Sequence, residues 1–232
     1  MTLLLTRSDV ASLLTLDECI AAVEKAFRLR GSGEVPPAGI LGVPAPGGGF
    51  HIKAAVLGSR FAAKVNGNFS GNPARGLPAI RGAIVLCDAS NGEPLAVMDS
   101  MEITILRTGA ATAVAARHLA RRSSAVATIC GCGNQGRVQL RALSRVLPLT
   151  RALAFDVDEG RARRFSQELS AELGIAVSAV TDLARAVSGS DVCVTCTPAR
   201  APILRREAVP PGMFLAAVGA DSPDKQELDP GI

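Results

Sequence analysis

A chain of 232 residues, 48% hydrophobic and 20% charged, has enough apolar material for one large or two small globular domains. The formal net charge of +4 is spread along the sequence, there is no Trp or Tyr, and there are only 7 Phe, which argues against a nucleic-acid surface built on basic tails or stacked aromatics. Residues 1–9 carry no secretory leader pattern, and no run approaches the ~18 apolar residues of a membrane-spanning helix, so a cytoplasmic protein without membrane association is expected.

Thr15 opens the first expected helix. Glu18 stands three residues on, as in a capping box, and Ile20, Val23, Ala26 and Phe27 recur at helical spacing up to Arg30-Gly31. The glycine- and proline-rich stretch 31–49 reads as turns with short apolar pieces. Strands are expected at 50–57, 61–65, 79–86 and 94–98, with Asn91-Gly92 forming a hairpin turn because that pair tolerates positive φ. Residues 101–118 form an alanine-rich helix that links the two halves. From Ala125 onward, strands at 125–130, 152–155, 176–178, 191–195 and 213–218 alternate with helices at 135–146, 159–173 and 182–187. That rhythm implies a parallel sheet and an α/β class, with an α+β domain at 1–118 and a Rossmann-type domain at 119–232.

Six cysteines are present. Cys193 and Cys196 have the spacing of a redox or zinc pair, but they lie in an apolar strand-like run, without a second such pair and far from His51 and His118. Buried structural cysteines and no metal are expected.

The segment Gly131-Cys132-Gly133-Asn134-Gln135-Gly136 is a GxGxxG pattern that follows an apolar strand and opens a helix. The first glycine permits the tight turn, the second lets a pyrophosphate approach the backbone, and the third lets helix and strand pack closely. The phosphates then meet the free N–H groups of the helix N-terminus. The next strand ends in Asp156, twenty residues past Gly136. A carboxylate there accepts both adenosine ribose hydroxyls and repels a 2′-phosphate, which favours NAD over NADP; an arginine from Arg161, Arg163 or Arg164 reaching that phosphate would weaken the preference.

Three further residues carry chemistry. Lys64 interrupts an apolar strand, Arg107 an otherwise apolar helix, and Asp221 follows the last strand at the end where Rossmann sheets place ligands. Taken singly, Lys64 could snorkel from a sheet edge, Arg107 pair with Glu102 or Asp99, and Asp221 cap a turn. Taken together, Arg107 would clamp a carboxylate, Lys64 polarise a carbonyl or imine, and Asp221 move a proton or position water. That set suits oxidation or reduction at the α-carbon of an amino acid. Without Tyr, the Tyr–Lys proton donor of short-chain dehydrogenases is excluded.

The motifs Lys64-Val-Asn-Gly-Asn-Phe, Arg75-Gly-Leu-Pro78, Gly92-Glu-Pro-Leu-Ala-Val-Met-Asp99, Ile103-Thr-Ile-Leu-Arg107-Thr108-Gly-Ala, the glycine loop, Thr195-Cys-Thr197-Pro198, and the run from Val218 through Asp221 and Lys225 to Leu228 span essentially the whole sequence. Together they make it resemble the ornithine cyclodeaminase/mu-crystallin family, which includes NAD-dependent alanine dehydrogenases and ketimine reductases. The resemblance implies a homodimer, a substrate-binding and dimerisation domain followed by an NAD domain, and action on an amino or imino acid. Two reactions fit: conversion of ornithine to proline and ammonia, or dehydrogenation of alanine. It also implies Lys64 as catalytic lysine and Asp221 as acid/base, the latter absent from ketimine reductases, with Arg107 near the substrate. Cofactor contacts are implied at Thr108, Gly131, Gly133, Asn134, Gln135, Gly136, Asp156, Thr197, Val218 and Lys225.

Two departures stand out. Many members carry Arg after the Pro-Pro pair to contact the substrate carboxylate, whereas Pro36-Pro37 is followed here by Ala38; Lys53 is the candidate substitute. The sequence also ends after five strands of the second domain where the doubly wound order expects six, so part of the family's C-terminal segment is expected to be missing. A non-catalytic dinucleotide-binding member is the alternative that these departures raise.

Overall fold

Alternating apolar and polar residues in the first hundred positions build a six-stranded sheet. The computed structural model describes residues 1–232 and places in this sheet β1 (Leu3–Leu5), β2 (Gly39–Ala45), β3 (Gly48–Leu57), β4 (Arg60–Asn68), β5 (Ile80–Asp88) and β6 (Pro94–Asp99). The order is β1-β6-β5-β4-β3-β2; only the β1–β6 pair is parallel, and the rest is an antiparallel meander. Helices α1 (Arg7–Leu13) and α2 (Leu16–Gly31) precede β2, and each opens with a capping box, Thr6 with Asp9 and Thr15 with Glu18. The turn at Gly92 has φ +79°, as the Asn-Gly pair suggests.

Strand register gives the sheet two unlike faces. On one, Ile40, Lys53, Lys64 and Ile84 stand in a row across β2 to β5, followed by the row Gly42, His51, Asn66 and Gly82. The other face carries Leu41, Val43, Phe50 and Val65, each roughly half exposed, with Val56 and Leu4 extending the apolar area. Sequence reading leaves out β1, α1 and β2. The apolar run of β1 is three residues long. β2 contains Pro44, which an edge strand tolerates because it need donate on one side only.

The second unit is a parallel sheet with helices, as the strand–helix rhythm implies. Its strands are β7 (Val126–Cys130), β8 (Arg151–Phe155), β9 (Ala176–Ala179), β10 (Val192–Thr195) and β12 (Phe214–Ala217), in the order β12-β10-β7-β8-β9. Helices α4 (Asn134–Ser144), α5 (Glu159–Leu173) and α6 (Leu183–Ser188) connect them. The core is small and dense: Ile129, Leu140, Leu143, Phe165 and Leu169 are fully buried. Arg137 lies over the Phe165 ring at 5.7 Å and pairs with Glu168, while Arg141 makes a two-pronged bond to Glu172 at 2.7 Å, so α4 and α5 are joined on their solvent side too. A separate parallel pair, β11 (Arg200–Leu204) with β13 (Gln226–Leu228), is absent from the sequence-level expectation.

The chain divides into two compact units, Met1–Arg107 and Thr108–Ile232, so their boundary falls inside α3 (Met101–Leu119). The C-terminal part of α3 explains why. Ala116 joins the second unit's core, and Gly109 lies against Val138 of α4, where a Cβ would come within 2.8 Å of the valine side chain. No helix is long and apolar enough to cross a membrane.

Candidate functional site

In the first unit, Lys64 projects from β4 onto the face where α3 packs. Its Nζ donates to Thr104 Oγ1 at 3.4 Å, Asn66 Nδ2 donates to the same oxygen at 3.4 Å, and Ser100 donates to Asn66 Oδ1 at 2.7 Å. Lys53 sits directly opposite on β3 and shares this face. Burial, the charge of Arg107 on α3 and the charge of Lys53 together push the Lys64 ammonium down to about 8, in that order of weight. Two carboxylates flank the start of α3. Asp99 accepts from the Met101 N–H at the start of α3, at 2.7 Å, and Glu102 pairs with Arg7. The sheet therefore brings together three of the expected residues, Lys53, Lys64 and Arg107. Ala38 lies one residue before β2.

In the second unit, the glycine loop has the build of a dinucleotide cradle. Gly131 has φ +102°, reserved in practice for glycine, and a Cβ there would meet the Cys196 carbonyl at 2.9 Å. At Gly136 a Cβ would lie 2.0 Å from the Gly131 oxygen, so helix α4 can seat only with hydrogen at that position. Around Gly133 nothing lies within 4 Å of a Cβ: the space above the second glycine is open. Gly133 is also the N-cap of α4 and offers no side chain to its N–H groups, and the buried Gln135 Oε1 next to Asn134 has no partner. An open cradle and an uncapped helix start fit a bound pyrophosphate.

Asp156 follows β8, with its side chain only 6% exposed. One carboxylate oxygen accepts from the Cys132 N–H at 2.9 Å; the other accepts from the Asp158 N–H at 3.0 Å and from Arg161 at 3.5 Å. Asp158 caps the start of α5, where its side chain accepts from the Arg161 N–H. Gly131, Gly133, Asp156, Arg161 and Thr197 line a cavity of about 390 Å³. Its apolar wall is Val157, Pro198 and Ile203, of which sequence reading names only Pro198, within a motif and without a role. Val157 is 94% exposed, an unusual place for a valine, and its position just after the acidic residue is the signal that would have found it.

The remaining expected residues lie toward the C-terminal ends of β10 and β12. Val218 packs against the core, and its N–H donates to Thr195 O. Asp221 is paired by the Lys225 ammonium at 2.6 Å in the loop that follows. Thr108 lies on α3, one turn before Thr112. Of the CxxC pair, Cys193 is fully buried with its thiol pushed up to about 12 by burial. Cys196 instead reaches the cavity wall and donates to the Gly131 carbonyl at 3.2 Å.

Sequence reading includes Glu227 in its last motif but gives it no role; it is 1% exposed on β13. Its Oε1 accepts from the Thr197 N–H at 2.6 Å and the Thr197 hydroxyl at 2.8 Å; its Oε2 accepts from the Thr195 hydroxyl at 2.9 Å and the Gly219 N–H at 2.8 Å. Four donors satisfy one buried carboxylate, which ties the ends of β10 and β12 together beneath Thr197.

A parallel sheet in the order 3-2-1-4-5 with a glycine cradle and an acid at the end of its second strand defines a Rossmann-type dinucleotide-binding unit, here preceded by an antiparallel sheet bearing a row of cations. The whole chain, residues 1–232, matches the model of the ornithine cyclodeaminase/mu-crystallin family, and it belongs to that family. It is 41% identical over 230 residues to an alanine dehydrogenase from Archaeoglobus fulgidus, an alignment that spans 98% of this chain and 70% of that protein. The structure of an archaeal alanine dehydrogenase dimer with bound NAD superposes with a TM-score of 0.92 at 41% identity, again over 98% and 70% of the two chains. That of Thermococcus litoralis Δ1-pyrroline-2-carboxylate reductase in complex with NADH and L-proline gives 0.90 at 35% identity, over 98% and 72%.

Two predictions follow from this geometry. The unfolded chain holds the Lys64 proton up to about pH 10.5 and the folded chain only to about 8, so between these values the unfolded state binds more protons and stability rises with pH. Below pH 8 the charged, half-buried ammonium is a burden of at most about 3 kcal/mol. Lys64→Met should therefore be more resistant to urea than the parent at pH 7, with the advantage fading by pH 10.5; equal advantages at both pH values would contradict this placement. For Glu227, the Gln variant keeps the shape but turns an NH₂ toward a backbone N–H. It should lose about 1–3 kcal/mol in urea melts, and Glu227→Ala more, since four donors are then stranded.

Proposed function

We propose that this chain is an NAD-dependent enzyme working at the α-carbon of an amino acid through its imine, in the manner of an alanine dehydrogenase or an ornithine cyclodeaminase. The observation that carries this reading is Lys64: a half-buried ammonium flanked by Lys53 and Arg107 and poised to exchange a proton near pH 8. Such a group is costly to fold and suited to an anionic ligand and to proton transfer. The dinucleotide cradle supports the choice of cofactor, as do the relatives whose structures contain NAD or NADH.

When bound, the nicotinamide supplies hydride exchange at the α-carbon. The chain's own residues do the rest. Arg107 and Lys53 hold the substrate carboxylate, with Lys53 standing in for the cation lacking at Ala38. Lys64 polarises the carbonyl or imine and holds or releases its own proton as charge develops. Asp221 takes up and returns a proton at the amine or an attacking water, and Lys225 positions it. Asn134 and Gln135, with the N–H groups at Gly133 and Gly136, receive the pyrophosphate, while Gly131 shapes the turn; Asp156 accepts the ribose hydroxyls; Thr108, Thr197 and Val218 lie along the rest of the cofactor. Purified protein incubated with NAD⁺ and a panel of amino acids should raise absorbance at 340 nm or release ammonia. NAD should bind at least about tenfold tighter than NADP, equivalent to roughly 1.4 kcal/mol, and Asp156→Ser should narrow that gap. Equal affinities for the two cofactors in the parent would defeat the assignment of Asp156.

The apolar sheet face supports a homodimer, consistent with the dimer of the archaeal alanine dehydrogenase. Leu41, Val43, Phe50 and Val65 form a contiguous patch on β2, β3 and β4 that a second copy would cover. In light scattering the parent should run as a dimer, and Leu41→Asp with Val43→Asp should yield monomers; a dimer unaffected by both changes would place the interface elsewhere.

A further inference from the structure

The row of cations on the first sheet has a consequence for which amino acid is accepted. Lys53 and Lys64 face each other across β3 and β4, an arrangement that like charges normally avoid, and Arg107 adds a third positive charge felt by Lys64. The rows that flank this pair on the same face carry Gly42, His51, Asn66 and Gly82 on one side and Ala55, Ala62 and Leu86 on the other, with no acid among them. The one acidic residue of the face, Asp88, stands two rows away at the end of β5 and is paired with Arg60 at 3.4 Å. Of the carboxylates on the neighbouring elements, Asp99 accepts from the α3 backbone, Glu102 pairs with Arg7, and Glu18 serves its own capping box. Asp221, the carboxylate given a proton-moving role above, already holds the Lys225 ammonium at 2.6 Å.

A substrate that brings a carboxylate to this face relieves the repulsion. A substrate that also brings a side-chain ammonium adds positive charge beside the Lys53–Lys64 pair and finds no carboxylate in the rows that flank it. We propose that the site takes amino acids, and the corresponding 2-oxo or 2-imino acids, whose side chain is short and neutral or carries a carboxylate, that it rejects diamino acids, and that Lys53 is the residue that sets this preference. The proposal rests on the reading of the chain as an α-carbon enzyme and selects among that reading's alternatives: it favours net dehydrogenation or reductive amination over cyclising deamination. In the oxidative direction the α-carbon gives a hydride to NAD⁺, water adds to the iminium, and ammonia leaves to give the 2-oxo acid, with NADH and a proton balancing the equation.

The test compares kcat/KM for alanine, aspartate, ornithine and lysine with NAD⁺, and for pyruvate and oxaloacetate with NADH and ammonia. Alanine or aspartate should exceed ornithine and lysine by at least a hundredfold. Lys53→Glu, a change at an exposed strand position, should shift the ornithine-to-alanine ratio by tenfold or more toward ornithine, while Lys53→Gln shifts it less. A binding readout accompanies the kinetics: in calorimetry, malonate should bind the parent with NAD⁺ present at least tenfold more tightly than it binds Lys53→Gln under the same conditions. Ornithine turnover equal to or above that of alanine would overturn the substrate assignment and leave the α-carbon reading standing. A ratio unmoved in Lys53→Glu, with malonate binding unchanged in Lys53→Gln, would remove Lys53 from specificity. Absence of turnover with all six compounds would defeat both readings, and NAD binding measured alongside would show whether the cradle survives that failure.

Discussion

The second unit depends on one close approach, that of the Gly131 carbonyl to the backbone of Gly136. Only hydrogen fits at Gly136, because a methyl group would sit 2.0 Å from that oxygen. The approach brings the start of α4 against the end of β7 and so aims the helix N–H groups at the open space above Gly133. It also fixes the neighbours. The Cys132 N–H is turned to the carboxylate of Asp156, so the turn that leaves space above Gly133 also orients the acid at the end of β8. Further along α4, Val138 comes to rest on Gly109, so the seating of one helix is transmitted to the next. A single steric requirement, met by a residue without a side chain, thereby positions the glycine cradle, Asp156 and the packing of α3.

The two units treat buried charge in opposite ways, and the contrast separates scaffold from chemistry. Glu227 is nearly inaccessible, yet its two oxygens take four donors, two from backbone and two from hydroxyls, which leaves little of its hydrogen-bonding capacity unused. A buried ion satisfied to that degree holds structure together. Lys64 is less buried, has a single long hydrogen bond to Thr104, and faces positive charge from Lys53 and Arg107. Its needs are met by nothing in the sheet. An ion left in that condition marks a place where a ligand completes the electrostatics, and its cost to folding is the kind that functional sites retain.

Most of the architecture was legible because it rests on local, repeating signals. The capping box at Thr15 and Glu18 placed α2, alternation placed β3 to β6, and the GxGxxG loop between an apolar run and a helix located the cradle. The bounds of α5, set by Asp158 and Gly174, agree with the expected 159–173. The misses share a cause. β1, β11 and β13 are three to five residues long and exist only because a partner strand lies beside them, which no window of sequence contains. Thr6 and Asp9 did offer a capping signal for α1, but the helix is too short for periodicity to reinforce it. Glu227 was hidden for the same reason as β13: its donors come from residues 195, 197 and 219, and their convergence is purely tertiary. Lys64 and Arg107 stood out because a charge in an apolar run is visible locally. That Lys53 faces Lys64 required the register.

The cysteines around the cradle follow from the charge that the site must receive. Cys130, Cys132, Cys193 and Cys196 all lie close to the phosphate loop, and burial pushes every one of these thiols upward, Cys132 and Cys193 to about 12. Asp156 raises Cys130 and Cys132 further, and Glu227 raises Cys130, Cys193 and Cys196, because a thiolate beside a carboxylate would add negative charge to negative charge. A pyrophosphate bound over Gly133 would push in the same direction. Held as neutral thiols, these side chains are small enough for a crowded turn and still act as donors. Cys196 gives its S–H to the Gly131 carbonyl, the same oxygen that limits Gly136 to hydrogen. Serine would make a comparable bond but prefers water to such a dry pocket, and a larger apolar residue would have no donor for that carbonyl. The spacing of Cys193 and Cys196, which in another setting would suggest a metal or a disulfide, is here explained by two demands on one strand: a filled core behind β10 and a proton for the turn in front of it.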